Sequence, residues 1–149
     1  MKKYLILHGV NLNMFGKRDP LHYGTATLDD INAAITDLAQ ELKVEVECFQ
    51  TNHEGVMVEK IHQAHGDQRI AGVIINAGAW THYSYAIRDA LAILTCPLIE
   101  VHMSDVHARE PFRHHSCFSG VVQQQISGLG IHSYLEGLKS AVRLSDRGQ

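Results

Sequence analysis

Two alternating rhythms of apolar residues run along the chain. Short β-type runs, Tyr4 to Leu7, Val44 to Phe49, Ala71 to Ile75 and Leu98 to Met103, each give way to a polar or glycine-containing segment, as strands do. Helical spacing takes over between them. Ile31, Ile35, Leu38 and Leu42 share one helical face behind Thr27, a capping residue type, with Asp30 at the third helical position. Further helices are predicted over Gly55 to His65, Tyr83 to Leu94 and Ile131 to Leu144, the last through Tyr134, Leu135, Leu138 and Val142. This alternation predicts an α/β fold built on a parallel sheet. Gly120 to Ser127 is read as a fifth strand, but Gln123, Gln124 and Gln125 suit a strand buried on both faces poorly. It is therefore expected at an edge or in an interface. No repeat or low-complexity linker divides residues 1–149, which predicts one domain.

Composition narrows the function classes. The 149 residues are 45% hydrophobic and 19% charged, an ordinary globular balance. Thirteen Lys and Arg against sixteen Asp and Glu give a net charge of −3 and a pI near 6.4, so no broad basic surface is available for nucleic acid or anionic lipid. Cys48, Cys96 and Cys117 are odd in number, widely spaced and without a C-x-x-C pair, arguing against a disulfide framework or a thiolate zinc site. The apolar run after Lys2 and Lys3 stops at His8-Gly9, too short for a signal segment or a membrane span. A soluble protein of the reducing cytoplasm is expected.

The unusual polar residues follow the predicted strands. In open parallel sheets the ligand crevice lies beyond the carboxyl ends of the strands, where loops converge on a rigid base. His8 to Asn13 follow the first strand, Gln50 to Gly55 the second, Asn76 to His82 the third and Ser104 to His115 the fourth. Four loops rich in Asn, His and Arg at one end of one sheet predict a shared site. Glu100 and His102, two apart on a strand, emerge on one face. The carboxylate there can orient the imidazole for general acid work, or the pair can be a structural hydrogen bond. Arg18 and Tyr23 lie in a long first loop read as lacking secondary structure. A free phenol ionises near pH ~10, so only ~1 in 1,000 is phenolate at pH 7, and an adjacent guanidinium stabilises that form. Solvent-exposed or packing roles are the alternative for both residues. A metal centre at His102, His107, His114 and His115 is disfavoured: no H-E-x-x-H spacing is present, and Arg109 and Arg113 interleave with the imidazoles. Arginines beside histidines suit a carboxylate or a hydroxyl-rich anion.

Several motifs in order resemble one family almost end to end. Gly9-Val10-Asn11-Leu12-Asn13, Gly16 to Pro20 with Tyr23-Gly24, Phe49 to Gly55, Ile75 to Gly78 with Thr81-His82, Ala86 to Leu91, and Ile99 to His102 through Arg113-His114 are similar to type II 3-dehydroquinases. The resemblance implies a flavodoxin-like α/β fold, a five-stranded parallel sheet flanked by helices on both faces. It also implies cofactor-free, metal-free anti elimination of water from 3-dehydroquinate to 3-dehydroshikimate through an enolate, in the shikimate pathway or in quinate catabolism. By resemblance, Tyr23 is the base at C2, Arg18 holds its phenolate, and Asn11 stabilises the enolate through a water. His102, oriented by Glu100, is the acid at the departing C1 hydroxyl. The Met103 and Ser104 amides with the Ser104 hydroxyl cradle the carboxylate, and Asn76, His82 and Arg113 bind ring hydroxyls. Arg109 lies on the loop that closes with Tyr23, Asp89 reaches a neighbouring subunit's site, and the assembly is a homododecamer of four trimers.

Three departures carry expectations. The family commonly reads Asn-Gly-Pro-Asn where His8-Gly9-Val10-Asn11 stand, so Asn11 is expected to be less firmly held without the proline. Asp105 replaces an asparagine beside the carboxylate cradle and is expected to point away from it. Tyr83 and Tyr85 stand where smaller residues are common, narrowing the pocket or thickening a subunit contact. The competing reading is a catalytically silent binding module for a small hydroxylated carboxylate. A flavin or nucleotide binder is disfavoured, because the first loop lacks a glycine-rich phosphate cradle.

Overall fold

The computed structural model describes residues 1–148. Five strands, β1 (Lys3–His8), β2 (Glu45–Gln50), β3 (Ile70–Asn76), β4 (Leu98–His102) and β5 (Gln124–Ser127), form one sheet. Its order is β2-β1-β3-β4-β5 and every neighbouring pair is parallel. The helices are α1 (Pro20–Tyr23), α2 (Leu28–Leu42), α3 (Glu54–Gly66), α4 (Tyr85–Ile93) and α5 (His132–Arg147). This is the flavodoxin-like order, in which the chain reverses direction across the sheet between β1 and β3.

Strand alternation sends side chains to two cores. Leu5, Leu7, Val73, Ile75 and Leu98 pack with Met57, Ile61, Ile87 and Leu91 of α3 and α4. Tyr4, Ile6, Ile74, Ile99 and Val101 pack with Ile31, Ile35, Tyr134 and Leu138 of α2 and α5. A fully buried Ile or Leu contributes about 1.5–3 kcal/mol each relative to exposure, so both helical layers are held mainly by this packing. The α2 start carries the reciprocal cap the sequence predicts: Asp30 N–H donates to Thr27 Oγ1 and Thr27 N–H to the Asp30 carboxylate.

Some boundaries differ from the sequence reading. Helix α4 begins at Tyr85 rather than Tyr83, because the Ser84 hydroxyl accepts the Ile87 N–H and fixes the start. Strand β5 is confined to Gln124–Ser127; Val121 and Val122 N–H both turn back to the Phe118 carbonyl. Its place at the sheet edge is as expected. The first loop is not free of secondary structure: it contains a 3-10 turn, Leu12–Met14, and the one-turn helix α1. Pro20 presets the first helical φ, and the Asp19 carboxylate caps the Leu21 N–H. None of the described helices is long and apolar enough to cross a membrane.

Candidate active site

Three loops, not four, enclose a cavity at the carboxyl end of the sheet. The segment after β1 contributes Asn11, Leu12, Phe15, Arg18 and Tyr23; the one after β3 contributes Asn76, Gly78, Ala79 and His82. The end of β4 and its loop add His102, Met103, Ser104, Val106, Arg109 and Arg113. The Gln50 to Gly55 loop is absent from the lining because β2 is an edge strand, one position removed from the β1–β3–β4 crevice. It acts from behind instead. Asn52 Oδ1 accepts the Asn11 N–H at 2.9 Å and Gln50 Nε2 at 3.1 Å, and Gln50 Nε2 also donates to the Gly9 carbonyl.

With Val10 in place of proline, these hydrogen bonds are the contacts that hold the Asn11 backbone. Asn11 takes a left-handed φ of 68°, a conformation tolerated by asparagine. Gly9 lies so close to β3 that a Cβ would stand 2.2 Å from the Ala77 carbonyl oxygen, and Gly78, at φ +62°, packs under Val10. The first and third loops are thereby locked together.

On one wall Arg18 Nη2 donates to the Tyr23 hydroxyl at 2.9 Å, with its guanidinium carbon 3.9 Å from the ring centroid. Arg109 lies over the same ring at 4.9 Å. The other wall holds His102, whose Nε2 is 2.6 Å from Glu100 Oε2. Glu100 is 3% exposed and sits behind the cavity rather than in its lining. Burial works to raise its carboxyl, but hydrogen bonding and attraction from His102, with Ser116 and Gln125, outweigh that and hold it below the ordinary value. The carboxylate accepts, so Nε2 carries the proton and Nδ1 is the imidazole nitrogen left for the cavity.

His82 Nδ1 donates to the His115 carbonyl at 2.7 Å. Burial foremost, then the charges of His102 and Arg113, lower this imidazole below its ordinary value against the pull of that carbonyl; it stands neutral at pH 7 and offers Nε2 as an acceptor. Arg18, Arg109 and Arg113 line the cavity and no carboxylate does. Arg109 Nη1 donates to Ser104 Oγ at 3.2 Å, while its buried Nε has no hydrogen-bond partner, Glu110 Oε1 standing 3.8 Å away at ion-pair distance. A desolvated guanidinium N–H without an acceptor is a site for an anionic or strongly polar ligand atom. Met103 and Ser104 are held by their carbonyls, which accept from Gly130 and Gly128 N–H.

Asp89, expected by resemblance at a neighbouring subunit's site, is not part of this chain's own cavity. It lies on α4 with its side chain 80% exposed, beside Arg88 and outside the cavity, because the helix turns it away from the sheet. Asp105 faces away as expected: its carboxylate accepts the His107 N–H and caps the turn Val106–Ala108. Tyr83 and Tyr85 are exposed and do not narrow the cavity. Among the described residues no group of three or more His, Cys, Asp or Glu side chains is arranged to hold a metal. Sequence reasoning missed Ser116 and Gln125, which hydrogen-bond Glu100 Oε1 at 2.6 and 3.1 Å. The polar run in β5 was the available signal, but its register opposite Glu100 is a tertiary fact.

The cavity measures about 110 Å³, sized for one small polar molecule. A groove of about 760 Å³ lies at the opposite end of the sheet near Lys2, Arg69 and Gln123, but no acid–base pair faces it.

Comparison with known proteins agrees with this geometry. The model of the family described as Dehydroquinase class II matches residues 2–142. A 3-dehydroquinate dehydratase of Syntrophotalea carbinolica is 62% identical over 144 residues, covering 97% of each chain. One from Pelobacter propionicus is 60% identical over 149 residues, covering all of this chain and 99% of its own. The crystal structure of a type II dehydroquinase from Butyrivibrio crossotus superposes with a TM-score of 0.91 at 41% identity, covering 95% of this chain and 97% of that one. With its sheet order, its cavity and these relatives in agreement, the chain belongs to the class II dehydroquinase family.

Proposed function

We propose that this chain, as one catalytic domain, is a type II 3-dehydroquinate dehydratase, a hydro-lyase that removes water from 3-dehydroquinate to give 3-dehydroshikimate. The observation that carries the reading is a phenol held by a guanidinium, Tyr23 with Arg18 at 2.9 Å, on one wall of a cavity whose other wall holds the Glu100–His102 pair at 2.6 Å. Recognition of a hydroxylated carboxylate alone requires neither of these pairs.

The Tyr23 phenolate takes the C2 proton, and the C–H electron pair moves into the C2–C3 bond as the ketone becomes an enolate. Asn11, exposed at the mouth of the cavity, stabilises that oxygen through a water; preorganised stabilisation of developing charge is commonly the largest catalytic contribution. The enolate then re-forms the ketone and a C1–C2 double bond, and the C1–O bond breaks. His102, acting from its doubly protonated form with Nε2–H held by Glu100, gives its Nδ1 proton to the departing hydroxyl, which leaves as water and returns the ring to the neutral Nε2–H form. Met103 and Ser104 hold the carboxylate, and an Arg109 Nε with no hydrogen-bond partner supports a role for Arg109 in closing over an anionic ligand. Asn76, His82 and Arg113 take the ring hydroxyls. The same elimination serves aromatic biosynthesis and quinate breakdown.

The reading extends to a cytoplasmic enzyme assembled as a dodecamer of four trimers. The exposure of Asp89 supports a part for it at a neighbouring subunit's site. Sedimentation of the purified protein tests the assembly.

The catalytic reading is tested by ultraviolet absorbance of the conjugated enone formed from 3-dehydroquinate. Wild type is expected to produce it, and Tyr23→Phe and His102→Ala each to lose about 10²–10⁴-fold in kcat, the range for a general acid or base. Folded wild type that binds 3-dehydroquinate without forming the enone would instead be the silent binding module.

A further inference from the structure

A row of buried polar groups runs from the cavity wall into the core behind it. It begins at Asn76, whose Oδ1 accepts the Gly78 backbone N–H at 3.2 Å. A backbone nitrogen can only donate, so this contact decides which end of the carboxamide is oxygen. Asn76 Nδ2 then donates to the Tyr134 hydroxyl on α5 at 3.0 Å. The Tyr134 oxygen lies 2.9 Å from His8 Nδ1, and His8 Nε2 lies 2.8 Å from Asn32 Oδ1 on α2. His8 and Tyr134 have no exposed surface and Asn76 is 4% exposed.

Burial fixes the direction of the row. The Tyr134 oxygen receives a proton from Asn76, and His8 Nδ1 is the acceptor within reach for its own. A buried hydroxyl proton left without an acceptor is costly. Tyr134 therefore donates to His8, which leaves Nδ1 bare and puts the ring proton on Nε2, where Asn32 Oδ1 accepts it. Burial also holds the His8 imidazole down to about 4, against the Asn32 hydrogen bond, and pushes the Tyr134 phenol upward. Neither group changes charge near neutral pH. Tyr134 is the protein partner of the Asn76 nitrogen, so the second amide proton is left for whatever enters the cavity that Asn76 lines.

We propose that His8 and Tyr134 are positioning residues that, through this one-way row of hydrogen bonds and together with the Gly78 N–H at the other end of the carboxamide, hold Asn76 so that it presents an N–H donor to an oxygen acceptor of the bound substrate. The identity of that substrate rests on the dehydratase reading above; the direction of the row does not. A hydroxyl that turns a lone pair toward Asn76 is accepted, and a group able only to donate is rejected.

Two measurements test the proposal. Steady-state kinetics with 3-dehydroquinate compare wild type, Tyr134→Phe, Asn76→Ala and the double variant. Tyr134→Phe is expected to lower kcat/KM about tenfold, chiefly through KM, because the Asn76 amide then keeps only its Gly78 contact and its Nδ2 end is no longer held in place. In the Asn76→Ala background the same change is expected to cost less than about twofold. Equal losses in both backgrounds, or a lower melting temperature with unchanged KM, would overturn the proposal. If Tyr134→Phe does not fold, His8→Leu takes its place in the cycle. Nitrogen-15 NMR of histidine-labelled wild type at pH 7 reads the His8 tautomer directly. Bare Nδ1 with protonated Nε2 is expected; the opposite tautomer or a cationic ring sinks the one-way row. Absence of turnover by wild type would defeat the dehydratase reading alone, since the tautomer is measured without substrate.

Discussion

At the scale of single side chains, burial and hydrogen bonding decide which protonation states the fold can hold. His8 touches Tyr134 from α5 and Asn32 from α2, and its imidazole titrates at about 4 instead of 6.5. Between those values the unfolded chain binds the extra proton and the native one does not, so stability must fall as pH drops from 6.5 toward about 4. The difference corresponds to about 3 kcal/mol at its limit, as an order of magnitude. Thermal melts across that window are expected to show the decline, and His8→Gln to flatten it. Glu100 acts with the same sign at lower pH: its carboxyl is depressed, so its contribution is present above the ordinary carboxylate value and disappears as pH falls through the folded one.

At the scale of elements, the catalytic loops are held by different means from the helices, and substitutions separate the two. Thr27→Ala removes the α2 cap hydrogen bond and is expected to cost about 1 kcal/mol of stability while leaving kcat and KM unchanged. Gly9→Ala drives a Cβ into the Ala77 backbone and must move the first loop away from the third, carrying Asn11 and its Asn52 contact with it. Overpacking of this kind costs about 1–3 kcal/mol. Here kcat is expected to fall as well, because the element displaced is the one that lines the cavity. Denaturant titration beside kinetics distinguishes the variants, and equal activity in both would contradict the bracing described. The Gln-rich β5 follows the same logic. Gln125 stands opposite Glu100 in register and donates to it, so polarity at this edge serves the acid rather than weakening the sheet.

For the molecule as a whole, charge is distributed against its own sum. The chain carries a net −3, yet Arg18, Arg109 and Arg113 line a cavity without a carboxylate. Glu110 offsets part of that charge, 3.0 Å from Arg113 and 3.8 Å from Arg109; the positive field that remains in a low-dielectric cleft draws in anionic ligands, and salt screens that attraction over about 10 Å at 0.1 M. Raising ionic strength is therefore expected to raise KM for an anionic substrate several-fold with little change in kcat. A KM indifferent to salt would mean that capture depends on short contacts alone.

The sequence by itself determined the sheet class, four of the strands to within a residue or two, the cap of α2 and the face shared by Glu100 and His102, since all of these rest on spacing along one chain. It also yielded the family, because several ordered motifs are more specific than any one. What it could not decide depends on strand order and register. Placing β2 at the edge took its loop out of the cavity and made Asn52 a brace for Asn11. Register brought Gln125 to Glu100, and helix packing brought Tyr134 between His8 and Asn76. These partners are 25 to 126 residues apart in pairs such as Glu100–Gln125 and His8–Tyr134. Local pattern says which way a side chain faces; which distant group meets it is chosen by the packing that buries both cores.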